Sequence, residues 1–540
     1  MKIIYKNIDL DFYIEGNNID FDLNKDIDIN SLRLMFNKQI ANLSFNNDSI
    51  SYWTSRISER NTLIHNLFLD ICKIELIKEY TKEKKQITIY TNNTSLFLFF
   101  KKEARLSLLS LVLFIITKFL VTCKPYLTLV KYVVEKTIFN LRYKNKAYTK
   151  DLSNHVIIQT WVSDGNFKEN NFKDTYYGNL ASLLKQKKKK FIIWPVFFNV
   201  RNVNNIISFL RRNHHDFLIM EDYLTTIDYL VSIKHFFQKR YLNLGQIVIN
   251  KNDYSSIFDF YKKKECVEEA SLMYRFAKKL KENKTDNTTF LINHENMIYE
   301  KGFIFGVRKY LKKSKVVGYF HSTKPKNILC LDFASIDESI IAPKPDLIIF
   351  NSYVYNNYFK NKYSKIPTKN GIAFKQQYLN SLPYQKNKVN QSNILVIFSG
   401  VVDEVKLMFS IISKVSHKHF FLFRMHPMFK FDVNDFYSKK NYKLVNNEII
   451  PNLLLISGKV ISNYSALALE ISIQGFNLGL VYDKKKLLIN PYDDTGIKNY
   501  NLISNIKELT LFLEERSIEE TRTSFFNTDE KFKEAFLELI

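Results

Sequence analysis

The chain has 540 residues, 46% hydrophobic and 15% aromatic, enough for two or three domains with full cores and too apolar for a disordered chain. Its formal charge is +25, from 79 basic against 54 acidic residues, which favours anionic partners such as nucleotides or an anionic membrane face. Nucleic acid is disfavoured, because no zinc-ligand spacing, RNP motif or arginine-rich recognition helix occurs. The four cysteines (Cys72, Cys123, Cys266, Cys330) lie far apart without a CxxC, which argues against a disulfide framework or a zinc site.

The opening stretch MKIIYKNIDLDFYIEG carries acids too early, and too little apolar sequence, for a secretory signal, so a cytoplasmic protein is expected. Residues 1–50 read as short strands and loops. Ser51–Asn61 (SYWTSRISERN) reads as a polar loop holding Trp53, Arg56 and Arg60, with Arg56 a candidate cleft or acceptor contact. Leu63, Ile64, Leu67, Phe68, Ile71 and Ile74 recur at helical spacing, and Gln86–Thr91 reads as a strand. Helix followed by strand suggests the start of a Rossmann-like half.

Leu106–Val134 is the most apolar stretch, and only Lys118 interrupts Leu106–Cys123. It is long enough to span a membrane. Lys118 in mid-run, the Lys124-Pro125 break, and Lys101, Lys102 and Arg105 at the start favour a different arrangement. One or two helices would lie in an anionic membrane face with their lysines snorkelling. An apolar hairpin packed on its own domain is the alternative.

From His155 the pattern is α/β. Strands are predicted at Val156–Thr160, Phe191–Phe198, Phe217–Met220, Phe290–Asn293, Val316–Phe320 and Leu347–Phe350, with Ile227–Lys281 mostly helical. Asp164, His294-Glu295, His321-Ser322 and Asn351-Ser352 stand at strand ends, which share one ligand-binding rim in an open parallel sheet. Lys187–Lys190 reads as a solvated helix end. A linker over residues 380–392 precedes a second α/β unit with strands at Asn393–Ser399, Phe420–Phe423, Val460-Ile461 and Asn477–Tyr482.

In that second unit, FFLFRMHP (Phe420–Pro427) ends a strand in Arg424 and His426, with Pro427 fixing the turn. Ser462, Asn463, Tyr464 and Ser465 then lead into a helix that Gly475 closes. A hydroxyl-rich turn at a helix N-terminus offers free N–H groups to an anion, and Arg424 and His426 at a neighbouring strand tip would face the same anion. Each piece alone also has a purely structural reading, as a capped helix or a common His-Pro turn. The fold class expected is α/β, with two Rossmann-like domains facing across a cleft. One covers residues 1–380, including the apolar helical insertion, and the other residues 393–525.

RMHP and SNYSALALE are similar to the His-Pro and Ser-rich motifs of bacterial sialyltransferases, capsule Kdo transferases and CDP-glycerol polyol-phosphate transferases. SYWTSRISERN, TWVSDGNFKENNFKDTYYG, NHENMIYEK, VVGYFHS, APKPDLIIFNS and NGIAFKQQYL resemble pieces of surface carbohydrate (O-antigen-type) biosynthesis proteins. The resemblance implies a GT-B glycosyltransferase whose second domain holds a nucleotide-sugar donor. His426 would then meet the donor phosphate and assist its departure. Arg424, Pro427, Ser462, Asn463 and Ser465 would complete the donor site, and Glu470 would reach the ribose.

Asp164 sits where the sialyltransferase-type relatives place an acidic-acidic-Gly motif with their general base. Ser163 replaces the first acid here, and Glu295 is the competing base. His321 and Ser322 would line the cleft. No cofactor is implied, and no DxD occurs at a strand end, so a metal-independent reaction is expected. A CMP-activated acidic sugar is the favoured donor. The acceptor would be a cell-surface polysaccharide or lipid-linked glycan at the inner membrane face. A CDP-glycerol-type polyol-phosphate transferase and a non-catalytic assembly protein on the same fold are the alternatives.

Overall fold

The computed structural model describes every residue except 1, 7–10, 16–20, 83–86, 145–150, 169–170, 199, 214, 265–267, 284, 382–392, 416–418, 427–431, 438–439 and 516–523. Gln86, Cys266, Pro427 and most of the 380–392 linker therefore lie outside the described residues.

Two six-stranded sheets, each wholly parallel, organise the chain. The first comprises β1 (Val156–Val162), β2 (Phe191–Phe197), β3 (Thr289–Asn293), β4 (Lys315–Phe320), β5 (Leu347–Phe350) and β6 (Thr368–Asn370), in the order β2-β1-β3-β4-β5-β6. The second comprises β7 (Asn393–Ile397), β8 (Phe420–Arg424), β9 (Tyr442–Leu444), β10 (Lys459–Ser462), β11 (Leu478–Val481) and β12 (Tyr500–Ile503), in the order β9-β8-β7-β10-β11-β12. The second order is that of the Rossmann dinucleotide fold, and the first is the flavodoxin-like variant extended by one strand. The α/β class with two such halves is as the sequence pattern suggested.

The period-2 alternation of the strands builds a core on each face of the first sheet. Ile157, Trp194, Phe290 and Ile292 pack on Leu272, Phe276 and Phe303 on one side. Ile158, Leu291, Val317 and Tyr319 meet Phe536 and Leu537 of the final helix, Glu530–Leu539, on the other. Pro195 is tolerated in β2 because that strand is the sheet edge, where a missing N–H breaks no ladder.

The amino-terminal part departs from expectation. Residues 1–50 are not only strands and loops, since Ile29–Asn46 is an 18-residue helix capped by Asp28. Its many Asn residues lower helix propensity, but Leu32, Phe36, Ile40 and Leu43 bury one face, and tertiary packing overrides propensity. Lys2–Tyr5, Phe12–Ile14, Thr88–Thr91 and Arg105–Leu106 form a separate small sheet instead of opening the first parallel one. SYWTSRISERN is not a polar loop. It folds as two short helices, Ile50–Trp53 and Arg56–Glu59, with Tyr52 and Trp53 fully buried. Leu63 and Ile64 are exposed in the turn before the helix Leu67–Thr81. Phe217 makes only an isolated bridge to Ile193, and Met220 begins a short helix, so no strand forms there.

The apolar stretch is one helix, Leu108–Tyr143, 36 residues and about 54 Å long. Pro125 stands inside it with its ring buried; a helix-internal proline removes one backbone bond without ending this helix. A narrow stripe (Ser110, Phe114, Pro125, Leu129, Tyr132, Asn140) packs inward. Because the stretch is one continuous helix it is not a hairpin, and most of its apolar residues are exposed. By length and composition alone the helix could cross a membrane.

Candidate active site at two facing sheet edges

In open α/β sheets ligands bind beyond the carboxyl ends of the strands, where the strand order reverses. In the second sheet that point lies between β7 and β10. Ile397 of β7 pairs with Arg424 of β8 on one side and with Ser462 of β10 on the other. The strands carrying His426 and Ser462 are therefore not neighbours. The loop after β7 lies between them, two strand spacings across.

That loop is Ser399-Gly400. Asn463 holds it by accepting from the Ser399 N–H at 2.9 Å and donating to Ser399 Oγ at 3.0 Å. Ser399 Oγ donates in turn to Glu404 at 2.8 Å. Over Gly400 lies the half-buried ring of His426, so close that a Cβ there would be 3.2 Å from its Nδ1. Burial and the nearby Lys375 ammonium hold the His426 imidazole below the ordinary histidine range, so it is neutral at pH 7.

The remaining donor-side candidates are more engaged than their sequence suggests. Ser462 is buried and donates to the Ile397 and Asn463 carbonyls. Ser465 caps the helix Ala466–Ser472, accepting from the Leu467 N–H at 3.2 Å; that helix is only seven residues long. Arg424 donates to the Val445 and Glu448 carbonyls, fixing its own turn. Glu470 is buried and accepts from Gln376 Nε2 at 2.9 Å and from the Tyr378 hydroxyl. Burial pushes its carboxyl up, against the opposing pull of Lys375.

In the first sheet the order reverses between β1 and β3, which end near Asp164 and Glu295. The two carboxylates differ. Both Asp164 oxygens accept backbone N–H groups, from Arg201 at 2.9 Å and Asn202 at 3.0 Å, at the start of the helix Val203–Arg212. Glu295 is not used as a helix cap. Glu300, in the first turn of the next helix, accepts from the N–H groups of Glu295 and Asn296 and fixes the turn, while Lys301 donates to the Ser58 carbonyl. The Glu295 carboxylate instead accepts from Ser322 Oγ and lies 3.7 Å from His321 Nε2.

His321 stands edge-on to Tyr176 at 4.8 Å and stacks on Tyr319 at 6.3 Å. Its Nδ1 is buried. Burial lowers its pKa, and Glu295 opposes that shift. Asp174, near the same edge, accepts from Thr160 at 3.1 Å and from two backbone N–H groups; burial raises its carboxyl.

Arg56 is paired with Glu59 at the short helix and contacts the Tyr299 hydroxyl. Arg60 is fully buried against Glu338 and is structural.

The two edges meet. Tyr464, in the turn after β10, comes within 3.5 Å of Thr323 Oγ1, next to Ser322. A 3-10 segment, Phe374–Ser381, runs between the halves. The Phe374 N–H donates to the hydroxyl of Tyr319, the ring under His321, while Gln376 and Tyr378 bind Glu470. Between them Lys375 is exposed, and its charge bears on His321, His426 and Glu470 together. Lys375 was missed in the sequence, where one more lysine among so many gives no signal; its place just after Ala373-Phe374 at the crossing is what marks it. Among the described residues no group of three or more His, Cys, Asp or Glu side chains is placed to hold a metal ion.

No family model matches the chain, and no curated protein matches it. Among solved structures it is similar to MurG of Acinetobacter baumannii, at 11% identity over 72% of this chain and 90% of that one, with a TM-score of 0.35. It is similar to the UDP-GlcNAc 2-epimerase of Neisseria meningitidis bound to UDP-GlcNAc, at 11% identity over 71% and 100%, with a TM-score of 0.36. A third is the wall teichoic acid polymerase TagF, at 12% identity over 73% and 88%, with a TM-score of 0.28. Likeness at this level leaves function to be argued from the site itself.

Proposed function

We propose that the protein is a GT-B glycosyltransferase that moves a sugar from a nucleotide-activated donor to a hydroxyl of a cell-surface polysaccharide or lipid-linked glycan. The observation that carries this reading is the meeting of the two edges at Lys375: a carboxylate held by Ser322 beside His321 on one wall, and His426 over a glycine loop on the other. The acceptor hydroxyl has to lose a proton as it attacks the anomeric carbon, and Glu295 is the general base. The Ser322 hydroxyl sets the carboxylate's position.

The departing phosphate needs fixed donors and positive charge, which His426 and Lys375 supply, with Arg424 bracing the turn. As the anion arrives the His426 ring gains a proton, because negative charge favours its charged form. Motif likeness favours a CMP-sugar donor. Transfer of a polyol phosphate would use the same groups, and product analysis for a phosphodiester against a glycosidic bond separates the two.

The test is a thermal-shift panel of CMP, CDP, UDP and GDP. A nucleotide present at 100 times its Kd adds about 2.7 kcal/mol to the folded state. One of them should stabilise the wild type, and His426→Ala should abolish the shift. A panel with no response, or a shift that survives that substitution, sinks the reading.

We further propose that the helix Leu108–Tyr143 rests on an anionic membrane face. Leu109, Ile116, Phe119, Leu120 and Leu127 are exposed along it, and the exposed Lys124 and Lys131 are placed to snorkel to headgroups. Flotation with anionic vesicles, lost on changing Leu109, Ile116, Phe119 and Leu120 to Ser, is the expected outcome. Alkaline extraction should release the protein, as it would not release a spanning helix.

A further inference from the structure

A separate cavity of about 210 Å³ opens near the carboxyl end of β1 and β2. Its walls include Trp161, Trp194, Phe198 and Tyr299, with the carboxylates Glu221 and Glu269. Trp161 meets Tyr299 edge-on at 5.9 Å and Phe198 at 6.3 Å. Glu221 is buried and lies 3.6 Å from Lys136 of the apolar helix. Trp194 is fully buried, yet its indole N–H has no acceptor. A buried donor left unpaired is costly, and a ligand oxygen would relieve it. None of these residues belongs to the site described above.

We propose that this cavity holds one sugar ring of the acceptor glycan; the inference rests on the glycosyltransferase reading. Aromatic faces cover the C–H face of a pyranose, while carboxylates bind the hydroxyls at its rim. The volume equals that of about seven waters, which suits one ring and not a chain. Its position also fits. β1, which carries Trp161, pairs with β3, which leads to Glu295, so the cavity lies one strand from the general base. Its other wall is the helix that we assign to the membrane face, from which a lipid-linked glycan would approach.

Two of the chain's three tryptophans line the cavity and report on it; the third, Trp53, is buried elsewhere. The experiment is a titration of the full-length protein with a panel of methyl hexopyranosides and, separately, choline, followed by tryptophan fluorescence. At least one glycoside should give a saturable change that is lost in Phe198→Ala, where the changed side chain is half exposed and the fold is spared, and in Glu269→Gln. Both variants should keep the nucleotide thermal shift. The proposal is overturned if no glycoside gives a saturable change, if the change survives both substitutions, or if choline alone produces it, which would mark an aromatic cation pocket. A missing nucleotide shift in wild type counts against the glycosyltransferase reading and is scored in that assay, not this one.

Discussion

The ring of His426 lies directly on Gly400, and a Cβ at that position would sit 3.2 Å from its Nδ1. The loop beneath is held by the pair of hydrogen bonds between Ser399 and Asn463, so the ring, not the backbone, must yield to added bulk. Gly400→Val should therefore displace the imidazole while sparing the fold, because residue 400 is exposed. We expect at least a tenfold loss of nucleotide affinity, about 1.4 kcal/mol. An unchanged affinity in the thermal-shift titration would place His426 outside the phosphate site.

Glu295 and Asp164 end adjacent strands and make opposite predictions. Glu295→Gln removes the proposed base and should lower turnover by about 10² to 10⁴-fold with little change in stability. Asp164→Ala removes a carboxylate that holds the Arg201 and Asn202 N–H groups just ahead of the helix Val203–Arg212. It should cost about 1 kcal/mol of stability and leave turnover within a few-fold. Chemical denaturation and product formation, measured on both variants, decide. The reverse pattern would transfer the base to Asp164.

Much of this was legible in the chain, for physical reasons. Phe420–Phe423 and Val460-Ile461 are short apolar runs ended by polar turns, and such runs mark buried parallel strands and their rims. Strand order was not legible. Spacing along the chain puts His426 and Ser462 in one unit, but the Rossmann order inserts β7 between them, and only the pairing of Ile397 with both sides reveals it. Arg56 and Arg60 look solvated in a polar stretch, yet burial beside Glu59 and Glu338 turns them into internal ion pairs. Cα spacing alone cannot distinguish those outcomes.

Lys375 is an exposed cation whose charge bears on groups from both sheets. Lys375→Ala should let the His426 and His321 imidazoles titrate higher, since a repelling charge is removed. Nucleotide affinity should fall and its dependence on salt should weaken. Histidine-selective NMR titration reads the first effect, and binding across ionic strength reads the second. Unmoved imidazole titrations would separate Lys375 from the site.

Lys301 offers a test of the buried architecture under the cleft. Its ammonium donates to the Ser58 carbonyl at 2.8 Å and lies over Trp53, and burial pushes its pKa down to about 8. The unfolded chain's lysine titrates near 10.4, so between about pH 8 and 10.4 the unfolded state holds more protons than the folded one. Raising the pH through that window strips protons from the unfolded chain and stabilises the fold, by up to about 1.4 kcal/mol per unit. Below pH 8 both states are charged and the effect is constant. Lys301→Met keeps the length of the side chain and removes the titration. The stability of the Met variant relative to wild type should therefore fall by about 3 kcal/mol as pH rises across the window. Tyrosines and other lysines titrate equally in both proteins and cancel. Parallel pH profiles in denaturant unfolding would mean that Lys301 keeps an ordinary pKa, and that the segment carrying Glu300 and Glu295 is better hydrated than its packing indicates.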